Sequence, residues 1–145
     1  KEKKIHTLWF EAHYMYRKKL ASFAEQFPSA KVKFRCGVET FDTALREAWK
    51  KGIPSSVSVQ DIAQHFQGIC LLCCTQGETK EHILKDIELA KAHFEYFSVN
   101  VFCENHTSIK QDKELASWFA KEVYPMIKDD PRIEVLMENT DLGVG

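Results

Sequence analysis

Apolar and polar positions alternate between two rhythms along this chain. Five short apolar runs read as strands, beginning near Ile5, Val32, Ile69, Val99 and Ile133. Their starts recur roughly every 30 residues, the length of a strand, a crossover helix and two loops. Between them the apolar residues recur with helical spacing. Tyr16, Leu20, Phe23 and Phe27 share one face of a first helix that Pro28 ends. Asp42 is a plausible N-cap for a helix over 43–51, with Leu45, Ala48 and Trp49 inward and Gly52 closing it. Ser58 and Asp61 form a candidate capping box for a short extra helix stopped by Gly68. Thr79 should cap the longest helix, over 80–96, whose inward stripe is Ile83, Ile87, Ala90 and Phe94. Asp112 caps the next, with Leu115, Trp118 and Phe119 inward, and Pro125 should break it near its end.

Strands separated by helices imply parallel pairing with helices outside the sheet. The expected fold is therefore α/β, a partial (βα) barrel of about five parallel strands with outer helices, in one domain over residues 1–145. The runs at 32–36, 69–74, 99–103 and 133–137 read as strands covered on both faces. Pattern alone does not separate a barrel from an open sheet.

Polar residues cluster where each strand should end. After the first come Glu11 and His13, and after the second Gly37, Glu39, Thr40 and Asp42. Thr75, Gln76, Gly77, Glu78 and Thr79 follow the third, while Glu104, Asn105, His106 and Thr107 follow the fourth. The fifth is followed by Glu138, Asn139, Thr140 and Asp141. Parallel α/β folds build their ligand sites at the C-terminal ends of the strands. Individually such residues also serve as helix caps and solvated loops, and capping is the better account of Asp42 and Thr79 alone.

Composition adds exclusions. Hydrophobic residues are 44% and charged residues 28% of the 145, an ordinary globular composition. Twenty Lys and Arg balance 21 Asp and Glu, so no basic footprint for nucleic acid or an anionic membrane is expected. No apolar run is long enough to span a bilayer or serve as a signal peptide, and the expected setting is cytoplasmic. The cysteines are Cys36, Cys70, Cys73, Cys74 and Cys103, an odd and scattered set without the look of a disulfide framework.

The turn Gly37-Val38-Glu39-Thr40-Phe41-Asp42, followed by Leu45 and Lys51-Gly52, resembles the fourth strand and next helix of radical S-adenosylmethionine (radical SAM) enzymes. Leu71–Cys74 followed by Thr75-Gln76-Gly77-Glu78-Thr79 is similar to the fifth-strand turn of that family. Val99–Thr107 and Glu134–Gly145 look like later strands of the same partial barrel. The resemblance covers Ile5 to Gly145, by the order and spacing of motifs each weak alone.

The resemblance implies S-adenosylmethionine and a [4Fe–4S] cluster as cofactors. In that family C-x-x-x-C-x-x-C holds the cluster, one electron cleaves the sulfonium, and the resulting 5′-deoxyadenosyl radical takes hydrogen from a substrate. The cofactors carry that chemistry and the protein positions them. The motif does not occur here. Cys70 and Cys73 would point to opposite faces of one strand, so no metal ligands are assigned. The first strand corresponds to the family's third, so the chain is expected to be a C-terminal portion, inactive alone: a fragment, a partial reading frame or a degenerate relative. Gly37, Glu39, Thr40, Lys51 and Gly77 are carried over as cofactor-binding, with Cys74 standing where the family usually has glycine. His13, Asn105 and His106 are candidate substrate contacts, and catalytic residues stay unassigned. An open sheet edge would favour self-association. Two other classes remain: a non-catalytic binding or interaction module, and a self-contained α/β enzyme using Glu11, Glu39 and Glu104. For the last, the chain has no nucleophile–base pair or glycine-rich phosphate loop.

Overall fold

The computed structural model describes residues 3–137, so the fifth polar cluster, Glu138 to Asp141, and the run to Gly145 lie outside the described residues. Five strands form one parallel sheet: β1 (Thr7–Glu11), β2 (Lys31–Glu39), β3 (Gly68–Cys73), β4 (Tyr96–Val101) and β5 (Ile133–Leu136). Their spatial order is β1-β2-β3-β4-β5. That order settles the choice between barrel and doubly wound sheet. Every right-handed crossover steps the same way, so all helices fall on one side, whereas a doubly wound sheet reverses direction. The result is an α/β partial barrel.

A 3₁₀ helix (Tyr14–Lys19) running into α1 (Leu20–Ala24) follows β1. The second crossover carries α2 (Thr43–Ala48) and α3 (Val59–Ala63), and the third carries α4 (Lys80–His93). The last is α5 (Lys113–Trp118), a π turn (Phe119–Val123) and α6 (Tyr124–Ile127). The caps read from sequence are present: Asp42, Thr79 and Asp112 each accept from a first-turn N–H, and Ser58 and Asp61 complete a capping box. The α4 stripe Ile83, Ile87, Ala90 and Phe94 is buried against Ile69, Leu71, Phe97 and Val99 of the sheet.

Several sequence expectations give way for local physical reasons. In the first helix Tyr14 is buried and Tyr16 is exposed, because the 3₁₀ turn repeats every three residues and puts Tyr14 in line with Leu20. In α2 the inward residue is Arg46, not Ala48; its Nη2 donates to the carbonyls of Pro54 (3.2 Å) and Val57 (3.5 Å). The longest helix ends at His93, and Tyr96 opens β4. Gly68 is the first residue of β3 and not a helix stop. A Cβ there would lie 2.7 Å from the Tyr96 carbonyl and 3.0 Å from the Trp9 ring. At Pro125 the α-helix is interrupted, as expected, but helical structure continues past it. The π turn before it absorbs the missing N–H, and a last α turn starts with the proline in its first positions.

The strands are not apolar on both faces. In β2 the side chains of Phe34, Cys36 and Val38 are buried under the helices, while Lys31, Lys33, Arg35 and Glu39 alternate onto the other face. Registered beside them on that face are Glu11, Cys70, Ser98, Asn100 and Glu134. This second face is the lumen of the partial barrel. That lumen is lined with polar groups, where a filled barrel would have a second apolar layer.

Candidate functional site

The lumen has a floor and a mouth. On the floor, Trp9 and Tyr96 meet across Gly68 with ring centroids 5.6 Å apart, and Lys33 Nζ lies 5.5 Å from the Trp9 ring. Above them Arg35 spans the sheet. Its guanidinium bonds Glu11 of β1 and lies 3.6 Å from Glu134 of β5. The Tyr96 hydroxyl donates to Glu134 at 2.7 Å, and burial together with that carboxylate pushes the phenol up to about 12. Cys70 faces the same network, 3.7 Å from Glu11, and burial raises its thiol to about 11.

At the mouth β2 breaks register between Gly37 and Glu39, and Glu39 takes a left-handed φ of 70°. That bulge re-aims the side chain. The Glu39 carboxylate lies over Gly37, where a Cβ would sit 3.5 Å from Oε1. Lys51 Nζ approaches the same oxygen at 3.5 Å. Burial raises the Glu39 pKa and the Lys51 charge opposes the rise. The pair therefore offers a carboxylate acceptor and an ammonium donor side by side, a match for a ligand bearing its own ammonium and carboxylate.

His13 closes the edge of this arrangement. Its Nδ1 accepts from the Met15 N–H (3.1 Å), capping the 3₁₀ helix, and its Nε2 meets the Lys51 carbonyl at 2.7 Å. It thus joins Gly37, Glu39 and Lys51 as part of one cluster.

The remaining sequence candidates lie elsewhere. Thr40 is wholly buried; its hydroxyl donates to Asp86 Oδ2 (2.7 Å) and accepts from the Asp42 N–H (3.1 Å). Asp86 Oδ1 also accepts from the Phe41 N–H (3.0 Å), so Thr40 and Asp86 anchor the turn from beneath. Burial pushes Asp86 up to about 6 despite those bonds. Gly77 has φ 97° with open space where a Cβ would be. Its neighbour Glu78 turns inward, accepts from the Thr75 N–H (3.2 Å), and is raised by burial to about 8. Cys74, in place of the family's usual glycine, holds a left-handed φ of 68°. Asn105 is used locally, accepting from the Thr107 N–H (2.9 Å) and hydroxyl. His106 is exposed on the same loop. The loop folds back on β3 through Gln76–Lys110 and Asp112–Cys74 backbone bonds.

The cysteines do not fit a [4Fe–4S] cluster. Cys36, Cys73 and Cys74 are buried on the helix side, Cys70 faces the lumen, and Cys103 donates to the Val101 carbonyl. Among the described residues no group of three or more His, Cys, Asp or Glu is placed to hold a metal ion. S-adenosylmethionine is a different case, because its amino-acid end matches an acceptor, Glu39, beside a donor, Lys51.

Sequence reading missed Arg35, Glu11 and Glu134 as one network. The signal was the strict alternation Lys31-Val32-Lys33-Phe34-Arg35-Cys36, which marks a strand with one polar face.

A singly wound parallel half-barrel with its polar cluster at the C-terminal strand ends is the architecture of the radical SAM type, and the chain resembles that family over nearly its whole length. Among solved structures it is similar to the queuine lyase from Clostridium spiroforme bound to SAM and queuine, with 35% identity and a TM-score of 0.86. The match covers 96% of this chain and 60% of that one, so the chain spans less than two thirds of the length of the protein it resembles. No family model matches the chain, and no curated protein matches it.

Proposed function

We propose that this chain forms the S-adenosylmethionine- and substrate-facing portion of a radical SAM-type enzyme, with the cluster ligands supplied from outside these 145 residues. The Glu39–Lys51 pair over Gly37 carries the proposal. The carboxylate of Glu39 accepts from the ammonium of the cofactor's methionine end, and Lys51 donates to its carboxylate. Gly37 leaves the strand bare beneath them, and Thr40 with Asp86 holds the turn rigid from below. S-adenosylmethionine, when bound, supplies the adenosyl group from which radical chemistry starts. Without cluster ligands the chain alone is inactive in that chemistry.

The substrate lies on the lumen floor, where Arg35, Glu11, Glu134 and Tyr96 provide donors and acceptors beside the Trp9 ring. The compared structure's ligands make queuine the first heterocyclic base to test. Five free thiols fit a cytoplasmic setting, and no helix among the described residues is long and apolar enough to cross a membrane. The outer edges of β1 and β5 are unpaired among the described residues, which supports self-association or pairing with another chain. The ill-fitting cysteines favour, as a second reading, a module that binds S-adenosylmethionine without radical chemistry.

Calorimetric titration tests the proposal. The wild-type chain is expected to bind S-adenosylmethionine, and Glu39→Gln to weaken binding about tenfold, ~1.4 kcal/mol, within the worth of one charged hydrogen bond. No binding, or binding indifferent to Glu39, overturns it. The second reading is separated by reconstituting the cluster in a polypeptide that joins a cluster-binding C-x-x-x-C-x-x-C segment to this chain: 5′-deoxyadenosine formation supports the enzyme, and its absence with binding intact supports the module.

A further inference from the structure

We propose that His13 is a positioning residue for the cofactor's amino-acid end, acting through the backbone of Lys51; this rests on the S-adenosylmethionine assignment made above. The ring is used at both nitrogens. Because Nδ1 accepts from the Met15 N–H, the proton of the neutral ring sits on Nε2, which then donates to the Lys51 carbonyl. His13 and Lys51 are 38 residues apart in sequence. One belongs to the turn after β1 and the other to the segment after α2.

That second segment needs an anchor. α2 ends at Ala48, and Lys50 and Gly52 both take left-handed φ, 54° and 69°. The chain here makes two reversals around Lys51 with no regular element to hold it. Residue 51 has its N–H bonded to the Arg46 carbonyl at a long 3.4 Å, while its carbonyl is held by His13 at 2.7 Å. Gly52 packs against the ring, its missing Cβ 3.5 Å from Nε2, so the ring and the reversal fit one another. Fixing the Lys51 carbonyl fixes its Cα, and from there the side chain reaches Glu39. A long lysine free to sample its rotamers would lose that placement, since ordering it costs side-chain entropy.

Two substitutions divide the ring's functions. His13→Asn keeps an acceptor near the Nδ1 position for the Met15 N–H and removes the donor to Lys51. His13→Gln reaches toward the Nε2 position and can donate to the carbonyl. The readout is the ratio of affinities for S-adenosylhomocysteine, which has the amino-acid end, and 5′-methylthioadenosine, which lacks it. His13→Asn is expected to weaken S-adenosylhomocysteine about five- to tenfold, the range of one lost hydrogen bond, while 5′-methylthioadenosine binds as before. His13→Gln should recover most of the loss. A merely structural role would lower both affinities together, and that result, or an unchanged ratio in His13→Asn, overturns the inference. Glu39→Gln is run alongside. If it weakens S-adenosylhomocysteine and His13→Asn does not, the positioning role fails and the cofactor assignment stands. If the wild-type chain binds neither probe, or Glu39→Gln changes nothing, the cofactor assignment fails and takes the positioning role with it.

Discussion

The turns after β2 and β3 start from the same ingredients and end differently. Each has a left-handed residue, Glu39 at 70° and Cys74 at 68°, a glutamate, a nearby threonine and a following helix capped by its own side chain. In the first turn the strained residue is itself the glutamate. Its carboxylate is thrown over the lumen toward Lys51, while Thr40 is drawn under the turn by Asp86. In the second turn the strain falls on Cys74, and Glu78 folds back on the Thr75 N–H, in no ion pair among the described residues. One glutamate faces the lumen beside Lys51 and the other closes its own loop. Which residue of the turn takes the left-handed conformation decides which way the carboxylate faces.

The largest effect is expected beneath the first turn. Asp86→Ala leaves the Thr40 hydroxyl and the Phe41 N–H buried without an acceptor, at about 1–3 kcal/mol each. Urea denaturation should register a loss of about 3 kcal/mol and, with the turn released, loss of S-adenosylmethionine binding. A variant of wild-type stability would show that Asp86 is not the anchor.

Glu78 comes next, and its effect has a pH signature. Its folded pKa of about 8 lies above that of an unfolded glutamate, so the native state binds the extra proton between those values. Stability therefore falls as pH rises from the ordinary carboxylate range through about 8, and is level above it. Glu78→Gln keeps the acceptor for Thr75 and removes the titration. At about pH 9 it should be more stable than wild type by over ~1.4 kcal/mol, the free energy of a tenfold change in proton affinity, and at about pH 4 little different. Equal stability at both pH values would mean that Glu78 is not held in its protonated form.

Gly77→Ala should cost about 1 kcal/mol, from strain at positive φ alone, because nothing crowds the added methyl. Thermal melting measures it, and a larger loss would reveal a contact at Gly77. The smallest stability change belongs to Lys51→Met, under about 1 kcal/mol for a partly exposed pair. Its ligand affinity should nonetheless drop about tenfold, as for one lost charged hydrogen bond. Little stability changed and much affinity lost is the mark of a residue kept for a ligand.

Much of the barrel was legible because its signals are local. Asp42, Ser58, Thr79 and Asp112 each satisfy a first-turn N–H that chain order alone puts within reach. The α4 stripe follows from helical spacing. Less legible was whatever depends on partners distant in sequence. Tyr14 replaces Tyr16 because His13 starts a three-residue turn, and nothing in the spacing of apolar residues distinguishes that from an α-helix. Gly68 reads as a helix stop until Trp9 and Tyr96 are seen to close over it. Gly37, Glu39 and Lys51 come together with His13 as one cluster. Thr40, named with them by its place in the turn, was spent instead on Asp86, 46 residues away. The Glu11–Arg35–Glu134 network joins three strands, and only the sheet order brings it together.

A crystal structure of the chain with S-adenosylhomocysteine would show whether the Glu39–Lys51 pair holds the ligand's amino-acid end. The expected result is the ligand's ammonium within hydrogen-bonding distance of Glu39 and its carboxylate on Lys51, with His13 still on the Lys51 carbonyl. Ligand density centred on Gly77 and Glu78 instead, or on the helix side of the sheet, would contradict the account.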